Sequence, residues 1–212
     1  MFTALLWDHD GVLVDTEALY FQATREVLAT VGATLTEDNY RQHFLVESRG
    51  AWHLAAARGV TDEAIVLLKQ QRNARYAELL AGGDRLIPGA MAVLTQLAPH
   101  FRMAIVTSSQ RAHFDVIHRA TGLPALFSFV FAREDYAESK PDPEPYLRAV
   151  AKIGVPASAC LVIEDSRRGL LAAKAAGLTC WVVPSALTAH SSFDEADRRF
   201  DSLADVADAL RP

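Results

Sequence analysis

The chain has 212 residues, half of them hydrophobic, and a net charge of −5. That length suits one sizeable globular domain or a core with a modest insert, and the acidic balance excludes non-specific nucleic-acid binding, which needs a basic surface. No apolar run approaches the roughly 20 residues of a membrane helix, so neither a nucleic acid nor a membrane is expected as a partner.

The N-terminus reads MFTALLWDHDGVLVDTE. Its apolar run has no basic start and no small-residue cleavage site, and it ends in acids, so it does not read as a signal peptide. LLW (5–7) reads as a short buried strand that stops at Asp8-His9-Asp10 and Gly11. From 15 to 84 there is no convincing strand pattern, and the stretches 17–31, 36–44, 48–58 and 61–80 all look helical. AGGDRLIPG (81–89) reads as a linker, with two glycines followed by a proline and a third glycine. Beyond it strand and helix alternate: helix 88–97, strand MAIVTS (103–108), helix 111–120, strand FSFVFA (127–132), helix 143–153, strand CLVIED (160–165), a helix capped by Ser166 and ended by Gly177, and strand TCWVVP (179–184).

These strands lack the in–out alternation of a half-solvated sheet, as expected where helices cover both faces. The expected fold is α/β: a doubly wound, Rossmann-like parallel-sheet core built from 1–14 and 85–212, with a helical insert at 15–84 after the first strand. Cys160 and Cys180 lie in apolar strands and read as buried thiols rather than a disulfide, which makes a cytoplasmic protein the default.

In open parallel sheets, ligands bind beyond the carboxyl ends of the strands. Asp8 and Asp10 follow the first strand, Thr107, Ser108 and Ser109 follow MAIV, and Glu164, Asp165 and Ser166 follow CLVI. Lys140 lies on the loop SKPDPEPY ahead of the next helix. Four acids, a hydroxyl cluster and a lysine are thus expected at one crevice. Crowded carboxylates repel one another and call for a hard divalent cation such as Mg²⁺, while a lysine and hydroxyl donors suit a phosphate. Each feature alone has a plainer meaning: a helix N-cap, a turn, a surface Lys-Pro. DxDG alone matches the start of a calcium loop, but Leu19 stands where that loop needs a glutamate. Their joint occurrence, each at a strand end or on the expected loop, favours the functional reading.

DHDGVLVDT (8–16), VTSS (106–109), SKPDP (139–143) and VIEDSRRG (162–169) together resemble the four sequence motifs of the haloacid dehalogenase superfamily, closest to its branch of sugar-phosphate phosphatases and β-phosphoglucomutases. The resemblance spans nearly the whole chain, and the helical insert sits where that branch carries its cap domain. It implies Asp8 as the nucleophile that forms an aspartyl-phosphate and Asp10 as the general acid and then base. It implies Mg²⁺ held by Asp8, the Asp10 carbonyl and Asp165, with Glu164 a further ligand or an acceptor behind the ligands. It also implies phosphoryl binding by Thr107, Ser108 and Lys140. His9 falls between the two acids where the family usually has a bulky apolar residue; strand alternation turns it away from them, so it is expected to be packed or bonded to backbone.

Dehalogenases of the superfamily lack the second aspartate, so Asp10 and Asp165 argue against dehalogenation. Phosphonoacetaldehyde hydrolases need a lysine early in the cap, and Lys69, in the last cap helix, is the single lysine between 15 and 84. β-Phosphoglucomutases typically show a histidine where this chain has Tyr20 and a glycine where it has Val46, although the Ser48-Arg49 pair is present. The expected activity is therefore Mg²⁺-dependent hydrolysis of a small phosphorylated metabolite: a sugar phosphate, a sugar-acid phosphate or phosphoglycolate. A phosphosugar mutase is the alternative within the family, and a catalytically silent binding module the alternative outside it. Candidate substrate residues in the cap are Arg49, Tyr20 and Trp52, the two aromatics being more readily read as cap core. The cap is expected to close over the site with hinges near 14–16 and 82–88, and the chain to act as a monomer.

Overall fold

In a computed structural model that describes residues 1–47 and 49–211, the four residues of β1 (Ala4–Trp7) are completely buried. The chain continues through α1 (Glu17–Ala29), α2 (Glu37–Tyr40), a π-helical stretch Arg41–Val46, α3 (His53–Ala56), α4 (Asp62–Leu80), α5 (Ala90–Leu97), β2 (Arg102–Val106) and α6 (Arg111–His118). It then forms β3 (Phe129–Phe131), α7 (Glu144–Ile153), β4 (Cys160–Glu164), α8 (Arg167–Ala175), β5 (Thr179–Val182), β6 (Arg198–Arg199) and α9 (Leu203–Ala209). The strands form one six-stranded sheet in the order β3-β2-β1-β4-β5-β6, and every pairing is parallel.

Strand geometry explains the two-sided core. Successive side chains point to opposite faces, and each central strand divides accordingly. Leu5, Trp7, Met103, Ile105, Leu161 and Ile163 enter one cluster with Leu94 of α5, Phe114 of α6 and Val206 of α9. Ala4, Leu6, Ala104, Val106, Cys160 and Val162 enter the other with Tyr146 and Ala149 of α7 and Leu170 and Ala173 of α8. Helices thus cover both faces, which is why the strands read as unbroken apolar runs. From β1 the chain winds outward through β2 and β3, then returns to build β4, β5 and β6 on the other side. The reversal beside β1 is where such sheets open a binding crevice. Both cysteines are buried free thiols.

The chain divides into two compact units, 1–15 with 85–212, and 16–84. Asp15 falls with the sheet unit. The two crossing strands are tied together inside that unit: Ile87 N–H donates to Leu13 C=O at 2.9 Å and Asp15 N–H to Arg85 C=O at 2.8 Å. The helical unit has its own core, with Val27, Leu28, Leu35, Tyr40, Ala55 and Leu68 buried together. Among the described residues no helix is long and apolar enough to cross a membrane.

Several boundaries differ from the expectation. The strands stop earlier than their apolar runs, at Val106, Phe131, Glu164 and Val182 rather than 108, 132, 165 and 184. The residues beyond are thereby released as loop, which is what lets them reach a ligand. The expected helix 36–44 is a four-residue turn, Glu37–Tyr40, followed by the π-helical stretch. The expected helix 48–58 shrinks to His53–Ala56, because Gly50 adopts a left-handed φ of 70° that an α-helix does not accommodate. Ser48, where that helix was to begin, lies outside the described residues. β6 and α9 have no counterpart in the sequence reading.

Leu94 is completely buried between α5 and the sheet. Leu94→Ala is expected to cost about 2–5 kcal/mol through lost burial and the cavity left behind, read as a lower denaturant midpoint for the sheet unit.

Candidate active site

The polar residues at the carboxyl ends of β1, β2 and β4 converge, and Lys140 from the loop before α7 joins them. The Lys140 Nζ donates to Asp8 Oδ1 at 2.9 Å, to Glu164 Oε1 at 2.7 Å and to the Val106 carbonyl at 2.8 Å. One ammonium thus links the ends of three adjacent strands. Glu164 has further donors: the Tyr146 hydroxyl at 2.7 Å on Oε1, and on Oε2 the Ser166 hydroxyl at 3.0 Å with the amides of Asp165 and Ser166 at 3.2 and 3.3 Å. Asp165 Oδ2 accepts from the Thr188 hydroxyl at 3.3 Å. Asp8, Lys140, Glu164 and Asp165 are all buried.

Asp10 lies in a different setting. Its Oδ2 accepts from the Ser109 hydroxyl at 2.8 Å and the Thr107 hydroxyl at 3.1 Å, with His9 Nδ1 at 3.2 Å. Thr107 is itself held, its hydroxyl by the Ser109 amide at 3.0 Å and its carbonyl by the Tyr136 hydroxyl at 2.8 Å. The Thr107 hydroxyl expected at a phosphoryl oxygen is here directed to Asp10. Ser108 follows it, half-buried, just past the end of β2.

Two glycines make the convergence possible. Gly11 has a φ of 82°, and a Cβ there would collide with the Asp165 carboxylate. Gly169, in the first turn of α8, packs so closely on Glu164 that a Cβ would overlap its carboxylate. Ser166 starts that helix as an N-cap, accepting from the Gly169 amide at 3.2 Å.

The charges do not balance. Burial alone would lower the Lys140 ammonium, but Asp8 and Glu164 together raise it above its ordinary range. Burial likewise works against the Glu164 carboxylate, yet Lys140, Tyr146 and Ser166 hold it below its usual value. The surplus negative charge falls on Asp8: burial first, then the charge of Glu164, push its carboxyl up to about 7 against the pull of Lys140. Asp8, Glu164 and Asp165 each place a carboxylate oxygen within 4.8 Å of the others. One lysine facing three buried acids leaves a deficit of positive charge. An all-oxygen donor set with that deficit fits a hard divalent cation. Because Glu164 is already occupied by Lys140, Tyr146 and the loop amides, it has the makings of the group that braces the site.

In the helical unit, Arg49 is exposed, ion-paired with Glu47 and bonded to His43 Nδ1 at 3.1 Å. Tyr20 packs edge-on against Tyr76, with ring centroids 5.1 Å apart, and the Arg72 guanidinium stands 4.3 Å from its ring centre. Trp52 lies 5.6 Å from the same guanidinium. Both aromatics pack against that unit's core.

Sequence reasoning did not single out Tyr146, Tyr136, Thr188 or His118. Tyr146 closes SKPDPEPY, six residues after Lys140, and a helical turn toward the site was its available signal. Thr188 and His118 are far along the chain from their partners and carry no local signal.

A family model described as haloacid dehalogenase-like hydrolase matches residues 2–177. The protein CbbY of Rhodobacter capsulatus is 36% identical over an alignment covering 99% of this chain and 97% of that protein. The phosphorylated carbohydrates phosphatase of Thermotoga maritima is 33% identical, with 82% of each chain covered. A crystal structure of CbbY from Rhodobacter sphaeroides in complex with xylulose-(1,5)bisphosphate superposes with a TM-score of 0.81 at 30% identity, covering 96% of both chains.

Lys140→Met would leave two buried carboxylates facing one another with no cation between them. The expected cost is about 3–5 kcal/mol at neutral pH. The loss should shrink on acidification, because a buried carboxyl whose pKa rises above its unfolded value favours the fold only when protonated. Denaturant midpoints of both proteins across a pH series check this.

Proposed function

The chain belongs to the haloacid dehalogenase-like hydrolases, in their sugar-phosphate phosphatase and β-phosphoglucomutase-like branch, and from that premise we propose that it hydrolyses a small phosphorylated sugar or sugar acid through an aspartyl-phosphate on Asp8. The observation that carries this reading is the contrast between neighbouring carboxylates. Asp8 faces a buried lysine, whereas Asp10 faces hydroxyls and an imidazole.

The chemistry follows from that contrast. The ionised Asp8 carboxylate, stripped of water by burial, bonds to phosphorus as the ester P–O bond breaks. Asp10 gives its proton to the departing sugar oxygen. It then removes a proton from the water that attacks the aspartyl-phosphate, which releases inorganic phosphate and restores Asp8. Lys140 is assigned to the phosphoryl oxygens, exchanging one of its three present acceptors for them, together with Thr107 and Ser108 at the end of β2. Asp8, the Asp10 carbonyl and Asp165 would hold Mg²⁺, with Glu164 bracing Lys140 and the Asp165 loop. Bound there, the cation supplies the missing positive charge, keeping Asp8 ionised and offsetting its repulsion of the phosphate dianion.

The similarity to CbbY, crystallised with xylulose-(1,5)bisphosphate, and to a phosphorylated carbohydrates phosphatase supports a sugar phosphate as substrate. In the helical unit, Arg49 is the proposed anchor for a second phosphate or for sugar hydroxyls. Tyr20 and Trp52 are engaged in packing and are assigned to shaping that unit.

The test is phosphate release from a panel holding xylulose 1,5-bisphosphate, hexose phosphates, sugar-acid phosphates and phosphoglycolate, with Mg²⁺ and with chelator. Release is expected only with metal, and Asp8→Asn is expected to lose at least about a thousandfold in kcat. Silence on every ester overturns the phosphatase. Glucose 6-phosphate formed from β-glucose 1-phosphate would assign the mutase instead. Arg49→Ala is expected to raise KM about tenfold for a bisphosphate, with kcat nearly kept, as for loss of binding shared by ground and transition states.

A further inference from the structure

His9 is completely buried, but the strand does not turn it into an idle core residue. Its ring lies between Phe114 and His118, with centroids 5.0 Å from each. Nδ1 stands 3.2 Å from Asp10 Oδ2, and Nε2 stands 2.7 Å from Nε2 of His118. On the far side, His118 Nδ1 stands 2.8 Å from the Thr121 hydroxyl, which accepts from the Leu123 amide at 3.3 Å. His9 is thus packed, as expected, but the expectation that strand alternation turns it away from both acids needs correcting: its polar contacts are to two side chains, Asp10 and His118.

The order of donors follows from the two ends. A carboxylate only accepts, so His9 carries its proton on Nδ1 and offers Nε2 as an acceptor. His118 must then donate from its own Nε2, which leaves its Nδ1 to accept from Thr121. The Thr121 oxygen accepts from the Leu123 amide and keeps its hydroxyl proton to donate to His118 Nδ1. Every link of the chain is then satisfied. Burial, followed by the neighbouring His9, pushes His118 down to about 3, in keeping with a neutral ring.

We propose that His9, His118 and Thr121 form a hydrogen-bonded chain, running from the loop after α6 to Asp10, that positions the Asp10 carboxylate for proton transfer. His9, from the end of β1, and Thr107 and Ser109, from the end of β2, all meet the same oxygen, Oδ2. Three contacts on one oxygen fix the rotation of the carboxylate, and with it the direction of the other oxygen. Two of those donors come from the end of β2, so the third, His9 at the end of β1, braced by His118 of α6, is what prevents the group from turning about them. His9 and His118 are positioning residues that act through Asp10, and the inference rests on the phosphatase reading for the role of that group.

The tautomers are read directly from long-range ¹⁵N–¹H spectra of the histidine rings, which need no substrate. His9 protonated on Nδ1 and His118 on Nε2 are expected, and the opposite pair overturns the chain whether or not the protein is active. In turnover, His118→Phe removes the donor to His9 and is expected to lower kcat about fivefold with KM unchanged. His118→Gln, which keeps an N–H donor, should restore kcat to within about twofold of wild type. A wild-type kcat in folded His118→Phe overturns the proposal, as does a loss that His118→Gln fails to repair. If His118→Phe does not fold, Thr121→Val breaks the same chain one link further out, and an unchanged kcat and unchanged His118 tautomer in that variant overturn it. Wild-type silence on all esters would instead count against the phosphatase reading, with the tautomers still deciding the chain.

Discussion

The ammonium of Lys140 governs this site. It is almost wholly buried and contacts two carboxylates and a backbone carbonyl. Removing such a cation from water costs several kcal/mol, and the return depends on filling its coordination well. Three acceptors at 2.7 to 2.9 Å do so. Because the acceptors belong to the ends of β1, β2 and β4, the electrostatic requirement is also a geometric one. Three strands must end at the same level, and the chain after each must turn away without covering the lysine.

That requirement reaches into the packing around it. Glu164 must come close to α8, which leaves no room for a side chain at position 169. Asp165 must come close to the turn after β1, which leaves none at position 11. Tyr146 is drawn into the core beneath the site with its hydroxyl on Glu164, so one side chain serves both the apolar cluster and the ion pair. The acids remain in excess over the lysine. A fold optimised only for stability has no reason to keep that excess, since replacing buried charges by apolar groups is often neutral or better. Its persistence at a strand-end crevice is the physical argument for a site that receives cationic and anionic partners together.

The sequence was most informative where function and topology coincide. Asp8, Asp10, Thr107, Glu164 and Asp165 each lie within three residues of a strand end, so locating the apolar runs located them. Lys140 was legible only through its loop motif. Contacts made across the fold left no local trace: Thr188 reaches Asp165 over 23 positions, and His118 reaches His9 over 109. The failures have similar causes. β6 is two exposed arginines paired at a sheet edge, with no apolar run to betray it. α9 is seven residues long and is fixed by packing Leu203 and Val206 into the core, with Ser202 as its cap. In the helical unit, periodicity over 36–58 overstated the helix, because a π-helical stretch and Gly50 reset its phase.

Asp8 and Asp10 are two residues apart on one strand end, yet their surroundings differ, and under the proposed reaction that difference separates their tasks. Asp8 shares a cation with a competitor that has more donors, so its charge is the least secure in the cluster, and a bound cation would act on it most. Asp10 Oδ2 accepts from two hydroxyls and faces an imidazole, and hydroxyl donors stabilise a carboxylate without committing it to remain ionised. A group that must give a proton in one step and take one in the next is better served by such an environment than by a salt bridge, which would hold it in one state. A bulky apolar residue at position 9 would remove the imidazole contact to that carboxylate. The buried imidazole supplies a donor there while keeping water out, and its own second nitrogen is satisfied only because α6 ends with His118 facing it.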